Sequence, residues 1–358
     1  MQNIDHTLIR QARMMRRLSM QQLASLMGDD RVSRMAISKI ERGLIRPSDS
    51  TLHAIARACG VPLSYFTPQA LDLGHIQYRF DQGTTTTEQQ QVKALIHSTI
   101  ADYLATEAQF PPAHTNTTSA RTIGKSKHTL HTFADAEQAA LRLRRKWDIG
   151  LQPIFSVYEL LQQYGIRVLE LDFGTMAIDG ISAIAGTDTP IIIINTRKNL
   201  TTERKRFTAL HELAHLLFRL RPLTPKAHAD YLAAMPPLPY QATEKCPDTE
   251  TLCHRFGNAM LLPAPCLYRR IGTTRTTVAI EELVSIRERY GISIAAIVHR
   301  LHDLRVIDDY YYHHYFEHVI MPNRLETGWG RFPIDETADT PRLLKIRMEK
   351  ELGKIGKK

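Results

Sequence analysis

Along the first 70 residues, apolar positions recur at helical spacing. Ile4, Leu8, Ala12 and Met15 predict a first helix. Ser19 then stands as an N-cap before Met20–Met27, with Gly28 to stop the helix. Ser33 opens a third helix that runs to Glu41 and stops at Gly43. Pro47 and Ser48 open a fourth, carrying Leu52, Ile55 and Ala56 and closed by Gly60 and Pro62. A strand-like stretch from Ile76 to Phe80 and a long polar helix over 88–108 follow. Residues 111–132 hold almost no large apolar groups, and burial there cannot offset the entropy of ordering, so the segment reads as a linker. Beyond it the pattern predicts helices from Asp135 to Trp147 and from Val157 to Tyr164. Three strands come next: Ile166–Leu171, Ile181–Ala185 and Pro190–Asn195. A helix from Thr202 to Leu220, a Pro-rich loop over 221–247, a helix from Asp248 to Pro263 and further helices over 279–320 complete the reading. Short helices followed by a mixture of helices and few strands place the chain in the α+β class, with no internal repeat.

Composition narrows the class. At about 150 residues per domain, 358 residues predict two or three domains, and 43% hydrophobic content excludes a disordered or collagen-like chain. The longest apolar runs are short, such as Ile191–Ile194, far below the roughly 18–20 residues of a membrane span. The N-terminus lacks an apolar leader core, so a cytoplasmic location and no membrane partner are expected. Cys59, Cys246, Cys253 and Cys266 are too scattered for a disulfide framework or a paired-cysteine zinc site, and Cys246, Cys253 and Cys266 read as packing residues. The net charge of +9 sits at the two ends. Residues 1–70 hold 10 Lys/Arg against 5 Asp/Glu, and 341–358 hold 7 against 2. A basic head on a neutral body points to a nucleic-acid-binding module joined to something else.

The head has the mechanics of a helix-turn-helix. Small Ala24 lets two helices approach, and Leu23, Ile37 and Ile40 hold them together. The second helix then presents Arg34, Met35, Ser38 and Lys39 to a major groove. Arg13, Arg16, Arg17 and Arg42 are expected on phosphates, which set affinity rather than sequence preference. The run VSRMAISKIERGLIRPS resembles the Cro/C1-type (Xre) helix-turn-helix family, with Met20 where that family usually has a DNA-contacting Gln, and Gln21 and Gln22 beside it. The resemblance implies a double-stranded DNA operator and a homodimer reading two half-sites.

Residues 211–215 read His-Glu-Leu-Ala-His. On a helix, His211 and His215 lie one turn apart on one face and can reach a single metal ion. Glu212, rotated by about 100°, can act as a general base on a water beside that ion. Phe207, Leu210, Ala214 and Leu217 form the stripe that packs this helix into a core. The extended Gly/His motif of metzincins fails, because Phe218 and Arg221 occupy its positions. A later carboxylate is the other common third ligand. Glu250 fits, with Glu244, Asp248, Cys253, His254 and His228 as rivals.

The stretches ERKRFTALHELAHLLF and ETLCHRFGNAMLLP resemble the ImmA/IrrE family of metallopeptidases, as do DGISAI, PIIIIN and AEQAALRLRRKW. The resemblance implies zinc, with Mn2+ as an alternative, held by His211, His215 and Glu250, and Glu212 as the catalytic base. His254 stands where the family has Asn or Asp, as a supporting residue or an alternative ligand. The domain expectation is then 1–70 for the Xre-type module and 71–132 for a helical connector and flexible linker. The metallopeptidase domain covers 133–270, a helix-turn-helix-like segment 271–320, and a basic tail 321–358. The implied function is a DNA-binding regulator whose peptidase cuts a Cro-type repressor, a partner or its own chain, on a stress or mobile-element signal. The alternative is a repressor or antitoxin whose metallopeptidase fold serves as a scaffold for a toxin protein.

Overall fold

A computed structural model describes residues 4–28, 32–61, 63–66, 86–109, 128–173, 178–185, 189–196, 201–234 and 246–333. The expected strand at 76–80, most of the 111–132 linker and the basic stretch at 341–358 lie outside the described residues.

The N-terminal helices are α1 (His6–Met15), α2 (Met20–Met27), α3 (Arg34–Glu41) and α4 (Asp49–Cys59). Their ends are set by the residues that the sequence marks. Ser19 and Gln22 form a reciprocal capping box, Ser33 and Ser48 accept from backbone N–H groups, and Gly28 and Gly60 close α2 and α4 in the left-handed conformation. Ile9, Leu23, Ile37 and Ile55 are fully buried between them. Helix α5 (Thr86–Gln109) adds Leu95, Ile96, Ile100 and Tyr103 to the same core.

The second half is built on a three-stranded sheet of order β2-β4-β3, with β2 (Arg167–Leu171), β3 (Gly180–Ala185) and β4 (Thr189–Asn195). β2 and β4 are parallel, Val168 facing Ile192; β3 and β4 are antiparallel, Ile181 facing Ile193. Val168, Ile192 and Ile194 pack into the core of the second half, whereas Leu169, Ile181, Ile191 and Ile193 join the core of the N-terminal helices. A strand buried on both faces has no polar side, and this is why Ile191–Ile194 is an unbroken apolar run. Arg16 to Asp172 (2.6 Å) and Arg167 to Glu107 (3.2 Å) are ion pairs between the sheet strands' edge and the N-terminal helices.

Around the inner face lie α6 (Phe133–Lys146), α7 (Val157–Gln163), α8 (Thr202–Leu217), α9 (Pro225–Ala233), α10 (Thr249–Leu261) and α11 (Ala264–Ile271). The C-terminal helices α12 (Ile280–Tyr290), α13 (Ile294–Asp303) and α14 (Asp309–Tyr315) complete the fold. Several expectations are corrected. α8 ends at Leu217, because Phe218 turns extended; β5 (Arg219–Leu220) then pairs in parallel with β1 (Thr129–Leu130), inside the expected linker. Helix α9 lies within the expected loop, started by Thr224 and Pro225, and α11 follows Pro263. The start of the expected tail is packed: Glu326 is buried, pairs with Arg287 at 3.1 Å and accepts from Ile294 N–H and Ala295 N–H at the start of α13.

Buried arginines tie the helices together. Arg144 donates to the Gly150, Gln152 and Met260 carbonyls. Arg300, fully buried, donates to the Leu262 carbonyl and forks onto Glu137 of α6 at 2.7 and 2.8 Å. Burial pushes the Glu137 carboxyl pKa up, but the Arg300 and Arg255 charges outweigh it and hold it below the usual carboxylate range. A depressed folded-state pKa gives stability that is present above the unfolded value and lost as pH falls through the folded one. Glu137→Gln is therefore expected to lower stability at neutral pH by about 3–5 kcal/mol and to flatten the loss of stability below about pH 4.5. Urea denaturation across pH measures both; an unchanged acid slope in the variant would contradict this.

Candidate metal centre

Helix α8 is buried along most of its length, with Leu210, Leu213 and Ala214 fully inside. This burial fixes the rotation of the helix, so His211 and His215 project together from one face. Their Nε2 atoms face each other at 3.2 Å. Glu250, in the first turn of α10, brings its Oε2 to 3.1 Å from His211 Nε2 and 3.6 Å from His215 Nε2. Two imidazole nitrogens and a carboxylate oxygen thus form a triangle with edges of 3.1, 3.2 and 3.6 Å. A tetrahedral ion with ligands at about 2.0–2.1 Å has donor atoms about 3.3–3.4 Å apart, so the three atoms match one face of such a site. The imidazole side chains are 10% and 3% exposed and the Glu250 side chain 47%, so the open corner lies on the carboxylate side.

Cys253 sits one turn beyond Glu250, buried, with its Sγ 3.4 Å from His215 Nδ1. Cys253 therefore does more than pack: its sulfur lies within hydrogen-bond distance of His215 Nδ1, and a proton held on Nδ1 by that contact leaves the Nε2 lone pair free for the triangle. Its sulfur lies within 4.8 Å of the ligand atoms of both histidines, yet its contact is with the nitrogen that faces away from the triangle. This role has no spacing signal in the sequence. His254 lies to one side, its ring 4.8 Å from the His211 ring and 5.5 Å from Phe207. Burial, then the nearby Arg204 charge, push its pKa down, which keeps the ring neutral at neutral pH. Among the rivals, Asp248 is spent capping α10 through Thr251 N–H, and His228 is buried on α9 beside Tyr231. Glu244 lies outside the described residues.

Glu212 is buried beside strand β3. The strand residue against it is Gly180, where a Cβ would lie 2.6 Å from Thr208 Cγ2 and 3.1 Å from Glu212 Cγ. The Gly of DGISAI is the sequence trace of this close approach between strand and helix.

On the N-terminal module, Arg34, Met35, Lys39 and Arg42 are exposed and Ser38 is half-buried on α3; Gln21, Gln22 and Arg17 are also exposed. The Gln22 side chain accepts from Ser19 N–H, closing the capping box. Arg13 is a correction. Its guanidinium is buried against Glu41 at 2.6 and 2.8 Å and donates to the Leu18 carbonyl, so it braces α1 against α3 instead of meeting phosphate.

Comparison with known families agrees with this layout. Residues 161–302 match the family model described as the IrrE N-terminal-like domain, and residues 9–66 match a helix-turn-helix family model. No curated protein matches the chain. The chain thus joins an Xre-type helix-turn-helix domain to an IrrE-like domain of metallopeptidase type. Among the described residues, no helix is long and apolar enough to cross a membrane.

The packing at Gly180 generates a prediction. Gly180→Ala forces Thr208 and Glu212 to shift, at a cost of about 1–3 kcal/mol. A lower thermal midpoint is expected by calorimetry; an unchanged midpoint would show that the strand and helix do not press together there.

Proposed function

We propose that this chain, an Xre-type helix-turn-helix domain joined to an IrrE-like metallopeptidase-type domain, is a DNA-binding regulator that hydrolyses a peptide bond in a repressor-type protein. The observation that carries the reading is the donor triangle of His211, His215 and Glu250, whose edges suit a small tetrahedral divalent ion. The donor set of two imidazoles and one carboxylate favours Zn2+, with Mn2+ as the alternative. When bound, such an ion acidifies a water molecule and polarises a peptide carbonyl.

The chain's own residues do the rest. His211 and His215 bind through Nε2, and the Cys253 contact to His215 Nδ1 holds that ring in the binding tautomer. Glu212, next to His211 and screened from bulk water, takes the proton of the attacking water on its carboxylate and delivers it to the leaving amine. Gly180 lets β3 run close to Glu212. His254 shields the His211 ring on its far side while staying uncharged.

For DNA, α3 is the element that enters the major groove. Arg34, Met35, Ser38 and Lys39 meet base edges, and Arg17, Arg42, Gln21 and Gln22 meet the backbone or flanking bases. A homodimer places two such helices about 34 Å apart on an operator. Cleavage of a Cro-type repressor, or of this chain itself, on a stress or mobile-element signal would then release repression. The second reading, an antitoxin that holds a toxin without cutting it, is favoured by one observation: His254 occupies a position beside His211 that the peptidase resemblance assigns to Asn or Asp.

Glu212→Gln separates the two. The variant is expected to retain the same metal stoichiometry by elemental analysis and to cleave a purified Cro-type repressor about 10²–10⁴-fold more slowly than wild type. Equal cleavage by both proteins would contradict the mechanism. Tight complex formation with a toxin, with no cleavage by either protein, would favour the antitoxin reading.

A further inference from the structure

A second pair of histidines one helical turn apart lies on α14 and the turn that follows it. Residues 314–318 read His-Tyr-Phe-Glu-His, the reverse order of the His-Glu-x-x-His at 211–215. α14 carries His314, and its continuation over Phe316–Ile320 is a π-turn that carries Glu317 and His318. A π-turn is wider than an α-turn, so residues four apart lie more squarely above one another. The two imidazole rings are 4.3 Å apart, centroid to centroid, with planes 29° apart. Tyr311, Tyr315 and Ile320 are buried in the core of the second half, which fixes the face of the helix that looks outward. His314, Glu317 and His318 are all on that exposed face.

The local hydrogen bonding prepares the pair for an ion. His318 Nδ1 lies 2.9 Å from the His314 carbonyl oxygen. A carbonyl only accepts, so Nδ1 carries the proton and the neutral ring keeps its Nε2 lone pair. Among the described residues, no hydrogen bond or ion pair engages that nitrogen, the His314 ring nitrogens or the Glu317 carboxylate. Two neutral imidazoles on one helix face can chelate a single ion. Imidazole selects Zn2+, Ni2+ or Cu2+ over Mg2+ and Ca2+, which take oxygen ligands. Glu317, next to His318 and three residues beyond His314, brings a negative charge beside such an ion. Because the donors are exposed, they lack the dry surroundings that sharpen an ion's effect on water at His211 and His215. The chemistry fits ion binding and not a second hydrolytic centre.

We propose that His314 and His318 chelate a second divalent transition-metal ion of the Zn2+, Ni2+ or Cu2+ class, with Glu317 beside it and the remaining positions open to water. The assignment does not depend on the hydrolytic reading above. With two imidazoles where the triangle at His211 offers a third protein ligand, this site fills second.

The test is calorimetric titration of Zn2+ into the full-length, chelator-treated chain, with Mg2+ in large excess throughout. Wild type is expected to bind one ion more than either His314→Gln or His318→Gln. Each variant removes one arm of the chelate, and the affinity for that ion falls by about 10²–10⁴-fold. Both changes are at exposed positions, and the thermal midpoint of the metal-free chain is expected to stay at the wild-type value. His53→Gln controls for a single surface imidazole. His53 is exposed on α4, its Nδ1 bonds the Asp49 carbonyl in the same way at 2.7 Å, and Arg57 stands where a second histidine would be. That variant is expected to bind as many ions as wild type. His211→Gln is expected to remove a different ion and leave this one. An unchanged count in either His314→Gln or His318→Gln overturns the assignment. So does loss of the same ion with His53→Gln, which would mean capture by isolated imidazoles, and so does a site that Mg2+ keeps empty of Zn2+. A chain that loses an ion with His318→Gln but none with His211→Gln upholds this site and sinks the metal centre on which the hydrolytic reading rests.

Discussion

His211 Nε2 and His215 Nε2 face each other at 3.2 Å, and Glu250 Oε2 closes on both. Two imidazole lone pairs and a carboxylate at that separation repel unless a positive charge lies among them. A proton can satisfy one pair of these atoms, whereas a divalent ion satisfies all three. The surrounding structure is arranged to hold that convergence. Burial of Leu210, Leu213 and Ala214 fixes how α8 is rotated, the Asp248 cap fixes where α10 begins, and Cys253 fixes one imidazole from behind. Gly180 leaves out a side chain that would press on Thr208 and Glu212 of α8.

The same sheet that backs α8 belongs to two cores. Alternate residues of β4 point to opposite sides: Ile192 and Ile194 toward the core that holds α8 and α10, Ile191 and Ile193 toward the core shared with the N-terminal helices. Packed interiors transmit strain because they have few voids to absorb it. The sheet is therefore close-packed on both faces, with the Arg16–Asp172 pair at one edge.

Much of this was legible in the residues, and the limits are instructive. Ser19, Ser33, Ser48, Gly28 and Gly60 announce helix ends because capping is a local matter of one side chain and its neighbouring N–H groups. His211 and His215 are legible because a one-turn spacing is also local. Glu250 is 35 residues beyond His215, and only the family resemblance singles it out from its rivals. Cys253 and Gly180 act through contacts between elements distant in sequence, which no periodicity encodes. The pairing of β1 with β5 involves two residues on each strand, too few to show alternation. Arg13 looked like its basic neighbours in sequence, and only the approach of Glu41 distinguishes it. The expected tail at 321–333 reads as polar, yet the single carboxylate of Glu326 ties it to Arg287 and the start of α13.

In the proposed site two imidazoles and a carboxylate hold the ion, with Cys253 behind His215 and not on the ion. X-ray absorption at the zinc edge, on the protein loaded with one equivalent of Zn2+, reads this directly. A first coordination sphere of nitrogen and oxygen only is expected, at about 2.0–2.1 Å, with imidazole scattering beyond it. A sulfur at about 2.3 Å would contradict it, putting Cys253 in the place assigned to Glu250.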